Sequence, residues 1–203
     1  MKNKYQTIFL ATGNPDKIAE LKRLLEPLGC TLKSVLDVSV ENEVEEDQPT
    51  LKGNALKKAR FWYYKTGLPA LADDTGLEVD ALNGAPGVYS ARYAGESVTY
   101  QDNVNKLLKE MKGKTNRAAR FRTVVALAGN DEIIFEGVCE GEITEKPQGD
   151  GGFGYDPVFR PEGFEMTFAE LSIDEKNRIS HRGKALKKMV DYLRDGGESR
   201  DLR

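Results

Sequence analysis

Asp73 and Asp74 stand side by side at the end of the apolar run Leu68-Pro69-Ala70-Leu71-Ala72, with Thr75 and Gly76 behind them. Adjacent carboxylates repel each other unless a metal ion, a proton or another cation sits between them. The pair therefore suits a divalent ion or general-base work, with an Asp-rich turn as the plain alternative. A second segment, Thr12, Gly13, Asn14, Pro15, Asp16 and Lys17, joins a predicted strand to a predicted helix. A helix N-terminus offers N–H groups and partial positive charge to an anion, Gly13 allows close approach, and Lys17 adds a full charge. Neither the GxxxxGK[ST] nor the GxGxxG spacing is present, and many silent turns look the same. In the third segment, Gln148 to Pro157, four glycines surround Phe153, Tyr155, Asp150 and Asp156. There the backbone can reach a ligand, Phe153 can stack on a flat base, and Asp156 can accept hydrogen bonds from ring N–H groups. Finally, Lys176, His181 and Arg182 gather cations near a helix start, against the helix dipole. That arrangement points to an outside partner such as a base carbonyl or a phosphate; a satisfied surface histidine is the alternative.

The elements that position these residues are legible in the same rows. Tyr5 to Thr12 reads as a strand, and Asn14 caps a helix with Pro15 at its first position and the stripe Ile18, Leu21, Leu24, Leu25 and Leu28, ended by Gly29. Thr31 to Leu36 reads as a second strand, and the acidic run Glu41 to Asp47 as a loop able to lend a third carboxylate. Thr50 caps a helix to about Thr66. A short buried strand up to Ala72 is expected to end in an Asp73–Gly76 loop, with a further strand beyond it through Leu77, Val79 and Ala81. Val104, Leu107, Leu108 and Met111 mark a helix, and Arg120 to Ala128 with Glu132 to Glu140 a hairpin. Thr167 and Glu170 match the capping box of a short helix, and Ser180 caps a last helix whose polar tail, Glu198 to Arg203, is expected to fray. An α/β protein with a mixed sheet follows.

The bulk numbers narrow the setting. A chain of 203 residues with 39% hydrophobic and 31% charged residues can bury a core without staples. A net charge of -3 argues against a dedicated nucleic-acid binder. Cys30 and Cys139 share no motif and read as ordinary residues of a reducing compartment. The apolar run after the basic start is too short for a signal peptide, and no window reaches membrane-span length, so a cytoplasmic protein is expected.

Taken in order, TGNPDK, ADDTGLEVDALNGAPGVYSARY, GGFGYDPVF and EKNRISHRGKAL resemble the inosine triphosphate pyrophosphatases, or XTP/dITP diphosphatases, from about Thr7 to Leu193. The resemblance implies a single domain over residues 1–203. It implies an elongated α/β body with a long mixed sheet flanked by helices, two lobes and a central substrate cleft, usually as a homodimer. It implies Mg²⁺-dependent hydrolysis of ITP, dITP or XTP to monophosphate and pyrophosphate, with no stable nucleic-acid or membrane partner. By position, Thr12 to Lys17 would hold the triphosphate. Asp74 would be catalytic base and metal ligand, with Asp73 beside it and Glu46 as the other metal carboxylate. Thr75 would touch substrate. Phe153, Gly154, Tyr155 and Asp156 would line the base pocket with Lys176, His181 and Arg182. The chain departs from the pattern at Gly53, where many members carry Glu; glycine inside a helix costs roughly 1 kcal/mol relative to alanine.

On this reading, Asp74, alone or with Asp73 as a coupled pair, deprotonates a water aimed at the α-phosphorus. His181 and Arg182 donate to a 6-keto oxygen that adenine lacks. Three other readings compete. Asp74-Thr75-Gly76 spells the DTG of aspartic proteases, which need two such loops. A related pyrophosphatase could act on modified nucleotides. Lys57, Lys58 and Arg60, with Arg117, Arg120 and Arg122, allow an RNA-binding module, although solvated faces or dimer contacts explain them more simply.

Overall fold

The computed structural model describes residues 5–38 and 44–197. The acidic residues Glu41 to Glu43 and the tail Glu198 to Arg203 lie outside them. Among the described residues, six strands form one mixed sheet: β1 (Thr7–Leu10), β2 (Thr31–Ser34), β3 (Ala70–Val79), β4 (Ala118–Ala128), β5 (Glu132–Ile143) and β6 (Phe159–Pro161), in the order β2-β1-β3-β4-β5-β6. β1 runs parallel to β2 and β3, and β5 antiparallel to β6. The α-helices of the described residues are α1 (Pro15–Leu25), α2 (Leu51–Thr66), α3 (Tyr100–Glu110), α4 (Ile173–Ile179) and α5 (His181–Arg194). The chain divides into two compact units, Met1–Asp74 with Val124–Glu136 and Ala185–Arg203, and Thr75–Thr123 with Gly137–Lys184.

In the first unit, α1 and α5 bury Ile18, Leu21, Leu25, Ala185, Leu186, Met189 and Leu193 with Leu10, Leu71, Val125 and Leu127 of the strands. Each such Leu, Ile, Val or Met side chain contributes roughly 1.5–3 kcal/mol when taken out of water. Helix α2 packs separately, with Trp62 stacked on Phe9 at 4.8 Å beside Ala70. Neighbouring residues on a strand point to opposite faces. Phe9 and Ala70 therefore face α2, while Leu10 and Leu71 face α1. In the second unit, α3 lays Val104 and Leu107 on Leu77, Val79, Phe121, Phe159 and Phe168. Cys30 and Cys139 are free and buried, and burial pushes the Cys139 thiol up to about 11.

Several expected boundaries move. Asp73 to Gly76 are not a loop: β3 runs unbroken from Ala70 to Val79. The polar residues are tolerated in mid-strand because Asp73 and Asp74 each meet a lysine. Thr167 and Glu170 make their side-chain bond to the backbone at 2.8 Å but close only a turn. The helix starts one box later, where Ser172 and Glu175 cap α4. Gly53 also differs from expectation. It sits in the first turn of α2, where a Cβ would lie 2.8 Å from the Gln48 Cβ, so alanine has no room there.

Candidate active site

In the first unit, β1 ends at Leu10 opposite Leu71 of β3, and Ala11 donates its N–H to the Leu71 carbonyl at 2.8 Å. Beyond that pairing β1 gives way to the Thr12–Lys17 turn, while β3 continues to Asp73 and Asp74. Thr12 and Lys17 are partly exposed; Gly13, Asn14, Pro15 and Asp16 are exposed. The helix start is not open to an anion as expected. The Asn14 side-chain oxygen already accepts from the Asp16 and Lys17 N–H groups at 2.9 and 3.2 Å, and Pro15 has none to give. What the turn offers a phosphate is the Thr12 hydroxyl, the glycine backbone and the Lys17 ammonium. That ammonium reaches Asp73 Oδ2 at 2.7 Å.

The adjacent aspartates keep different company. Asp73 follows the parity of Leu71, towards α1, and takes Lys17. Asp74 follows Ala70, towards α2, where Lys58 Nζ lies 4.0 Å from its Oδ1. The same ammonium donates to Glu46 Oε1 and, at 2.7 Å, to the Asp73 carbonyl. Lys58 thus stands among Glu46, Asp74 and a main-chain carbonyl with its side chain only 15% exposed. Its inward turn has a sequence signal. Leu51, Asn54, Ala55, Ala59 and Trp62 are the buried residues of α2, and 58 falls on that helical stripe. A lysine on a buried face needs anionic or carbonyl partners.

The donor set fits a magnesium ion. Carboxylates and a carbonyl are the hard oxygen ligands such an ion takes, and the position already attracts a cation. Among the described residues no group of three or more His, Cys, Asp or Glu could hold a metal. One or two carboxylates completed by substrate phosphates and water do not need such a cage.

The second unit carries the residues expected to line a base pocket. Thr75 shares a hydrogen bond of 2.7 Å with the buried Thr123. Phe153 is 66% exposed, between Gly152 and Gly154, both at positive φ. The buried Asp156 carboxylate accepts the Phe153 N–H at 2.8 Å and Lys176 Nζ at 2.5 Å. Lys176 belongs to α4 and lies over the Phe153 ring, 4.9 Å from its centroid. Tyr155 is an anchor: its buried ring sends the hydroxyl to the Ser90 carbonyl at 2.9 Å. The glycines around it serve internal packing more than ligand approach. A Cβ on Gly149 or Gly151 would meet the Ala169 backbone at 2.7 Å, and one on Gly152 would meet Asp156 Oδ2 at 2.1 Å.

His181 is not a surface histidine. It is 8% exposed at the first position of α5, stacked on Phe121 at 4.5 Å and 12°, and its Nδ1 is buried without a hydrogen-bond partner. Burial, reinforced by Lys176, Arg182 and Lys184, lowers its pKa to about 3, so the imidazole is neutral. Arg182 follows it, half-buried. The other basic clusters are engaged within their units. Lys57 meets Asp47, Arg60 meets Glu132, Arg120 meets Glu140 and Asp80, and Arg122 meets Glu78. Arg117 donates to the Ile143 and Thr144 carbonyls. The RNA-binding reading loses its cations.

A model of the Ham1 family matches residues 8–192. The chain belongs to the Ham1 family. It is 52% identical to a dITP/XTP pyrophosphatase of Chlorobaculum tepidum, over 94% of this chain and 96% of the relative. To the dITP/XTP pyrophosphatase of Bacillus licheniformis it is 50% identical, over 92% and 97% of the two chains. The Staphylococcus aureus Ham1 protein superposes with a TM-score of 0.90 at 36% identity, covering 95% of this chain and 100% of that one. A nucleoside-triphosphatase, or dITP/XTP pyrophosphatase, from Mycobacterium abscessus superposes at 0.81 and 42%, covering 92% and 99%. These relatives bear the name to which the four motifs led. In this Ham1 chain, motif reading by itself missed Lys58, because its neighbours Lys57 and Arg60 make it look like part of a solvated basic face.

Proposed function

We propose that this Ham1-family chain is one catalytic module that hydrolyses ITP, dITP and XTP to monophosphate and pyrophosphate, clearing non-standard purines from the nucleotide pool. The observation that carries the proposal is the lysine-filled group of Glu46, Asp73 and Asp74 next to the Thr12–Lys17 turn. Acids that already hold ammonium groups suit a polyphosphate that arrives with a divalent cation. The pyrophosphatase relatives support the same reading.

In the reaction, Lys17 and the Thr12–Gly13 turn hold the phosphate chain, and Lys17 exchanges its bond to Asp73 for one to a phosphate oxygen. Glu46 and Asp74 would hold Mg²⁺, which when bound would supply positive charge against that of the phosphates. Asp74 accepts a proton from the water that attacks the α-phosphorus. The new bond joins that water oxygen to the α-phosphorus, and the bond from the α-phosphorus to the bridging oxygen breaks. Asp73 takes the lesser part, because its carboxylate is turned towards α1 and Lys17. Thr75 steadies the substrate. Phe153 stacks on the base, Asp156 accepts from a ring N–H, and neutral His181 and cationic Arg182 donate to the 6-keto oxygen. Adenine would leave those donors unpaired, a penalty of roughly 10²-fold or more. The enzyme works as a cytoplasmic homodimer, with the dimer open to test by sedimentation velocity.

One assay tests the proposal: purified protein with Mg²⁺ and ITP, XTP, GTP or ATP, scoring pyrophosphate against orthophosphate. Pyrophosphate from ITP and XTP, with ATP hydrolysed far more slowly, is expected. Orthophosphate alone, or ATP turned over as fast as ITP, would refute it.

A further inference from the structure

Phe121 lies on β4, 7% exposed, and has no polar atom to offer a substrate. Its ring nevertheless lies flat against the one histidine of the chain, with centroids 4.5 Å apart and planes 12° apart. Phe168 stacks more loosely on both, at 6.0 Å from Phe121 and 6.2 Å from His181. A neutral imidazole makes its hydrogen bonds in the ring plane, so whatever sets that plane sets where its two nitrogens point. No hydrogen bond to Nδ1 performs that task, since this nitrogen is buried without a partner. The ring torsion is otherwise a broad one. The charged groups around the imidazole, Lys176, Arg182 and Lys184, repel a proton rather than orient the ring. The stack on Phe121 is the close contact that lies against the ring plane.

We propose that Phe121 is a positioning residue for base selection: by stacking, it fixes the plane in which His181 presents its polar edge to the 6-position of the purine. The proposal rests on the base-reading role given to His181 above. Phe121 touches no substrate and takes no part in the hydrolytic step, so its loss weakens recognition of the base and spares the chemistry.

The single histidine makes a direct test possible, because its imidazole C–H protons give one uncrowded pair of NMR signals. In the wild-type protein they are expected upfield of an exposed histidine, from the Phe121 ring current, and unmoved between pH 5 and 8. Phe121→Leu, in protein confirmed folded by a single cooperative melt, should shift them downfield. The same variant should raise KM for ITP by roughly 2- to 10-fold, the scale of one aromatic pair. It should lower the ITP-to-ATP ratio of kcat/KM while leaving kcat for saturating ITP near wild type. An unchanged ratio in the folded variant overturns the proposal, as do wild-type imidazole signals at the exposed position, a result that needs no variant. If saturating ITP leaves the wild-type imidazole signals in place, the base-reading role of His181 falls and takes the proposal with it, by a route distinct from the variant's.

Discussion

At the scale of single residues, Asp74 is the proposed base and Lys58 its ammonium neighbour. Asp74→Asn keeps the shape of the side chain and removes its basicity. Turnover of ITP should fall by roughly 10²-fold or more with an unchanged melting temperature, and wild-type-like turnover would remove Asp74 from the mechanism. Lys58→Met acts differently. It withdraws the cation from among Glu46, Asp74 and the Asp73 carbonyl, and leaves partly buried carboxylates facing one another. Breaking a buried pair costs several kcal/mol, but Glu46 is about a third exposed and solvent screens it. A loss of about 1–2 kcal/mol is therefore expected. Mg²⁺ should raise the melting temperature of this variant more than that of wild type, because the ion replaces the missing ammonium. Equal shifts in the two proteins would show that the carboxylates do not bind it.

At the scale of elements, the glycine-rich loop is built by its own packing. Gly152 holds φ +71, and a Cβ there would overlap the Asp156 carboxylate that secures Lys176 and the Phe153 N–H. Gly152→Ala should displace that carboxylate and raise KM for ITP, with a smaller effect on kcat; an unchanged KM would separate Asp156 from base binding. The glycine pattern was visible in the sequence, but its purpose was not. A run of glycines announces close approach without saying to what, and here most of the approach is to Ala169 and Asp156. Helix α2 shows the converse. Its caps at Thr50 and Gly67 were readable, because capping is local chemistry. The inward turn of Lys58 depended on acids brought from residue 46 and from β3.

At the scale of the whole molecule, His181 ties stability to pH, alongside its proposed part in reading the base. Its pKa in the fold is about 3, against 6.5 for a free histidine, so the unfolded chain binds a proton that the folded chain refuses. Stability from this group is complete above pH 6.5 and is lost progressively as the pH falls towards 3. Urea unfolding at pH 7.5 and 5 should show a lower free energy at pH 5, and His181→Gln should flatten that part of the difference. An identical pH slope in the variant would show that the imidazole titrates freely in the fold. No helix among the described residues is long and apolar enough to cross a membrane.

The sequence by itself determined the family, the caps at Asn14, Thr50 and Gly67, the amphipathic stripes and the residue types of the candidate site. Each is written in local spacing or in a contiguous motif. It did not determine that Asp73 and Asp74 lie within one strand, because a polar pair interrupts the apolar pattern that marks strands. Only the tertiary structure decided their division, by packing α1 and α2 on opposite sides of β3, so that alternation along the strand sends one carboxylate to Lys17 and the other towards Lys58. It also decided the burial of His181 against Phe121, since two residues so far apart in the chain carry no local signal of contact.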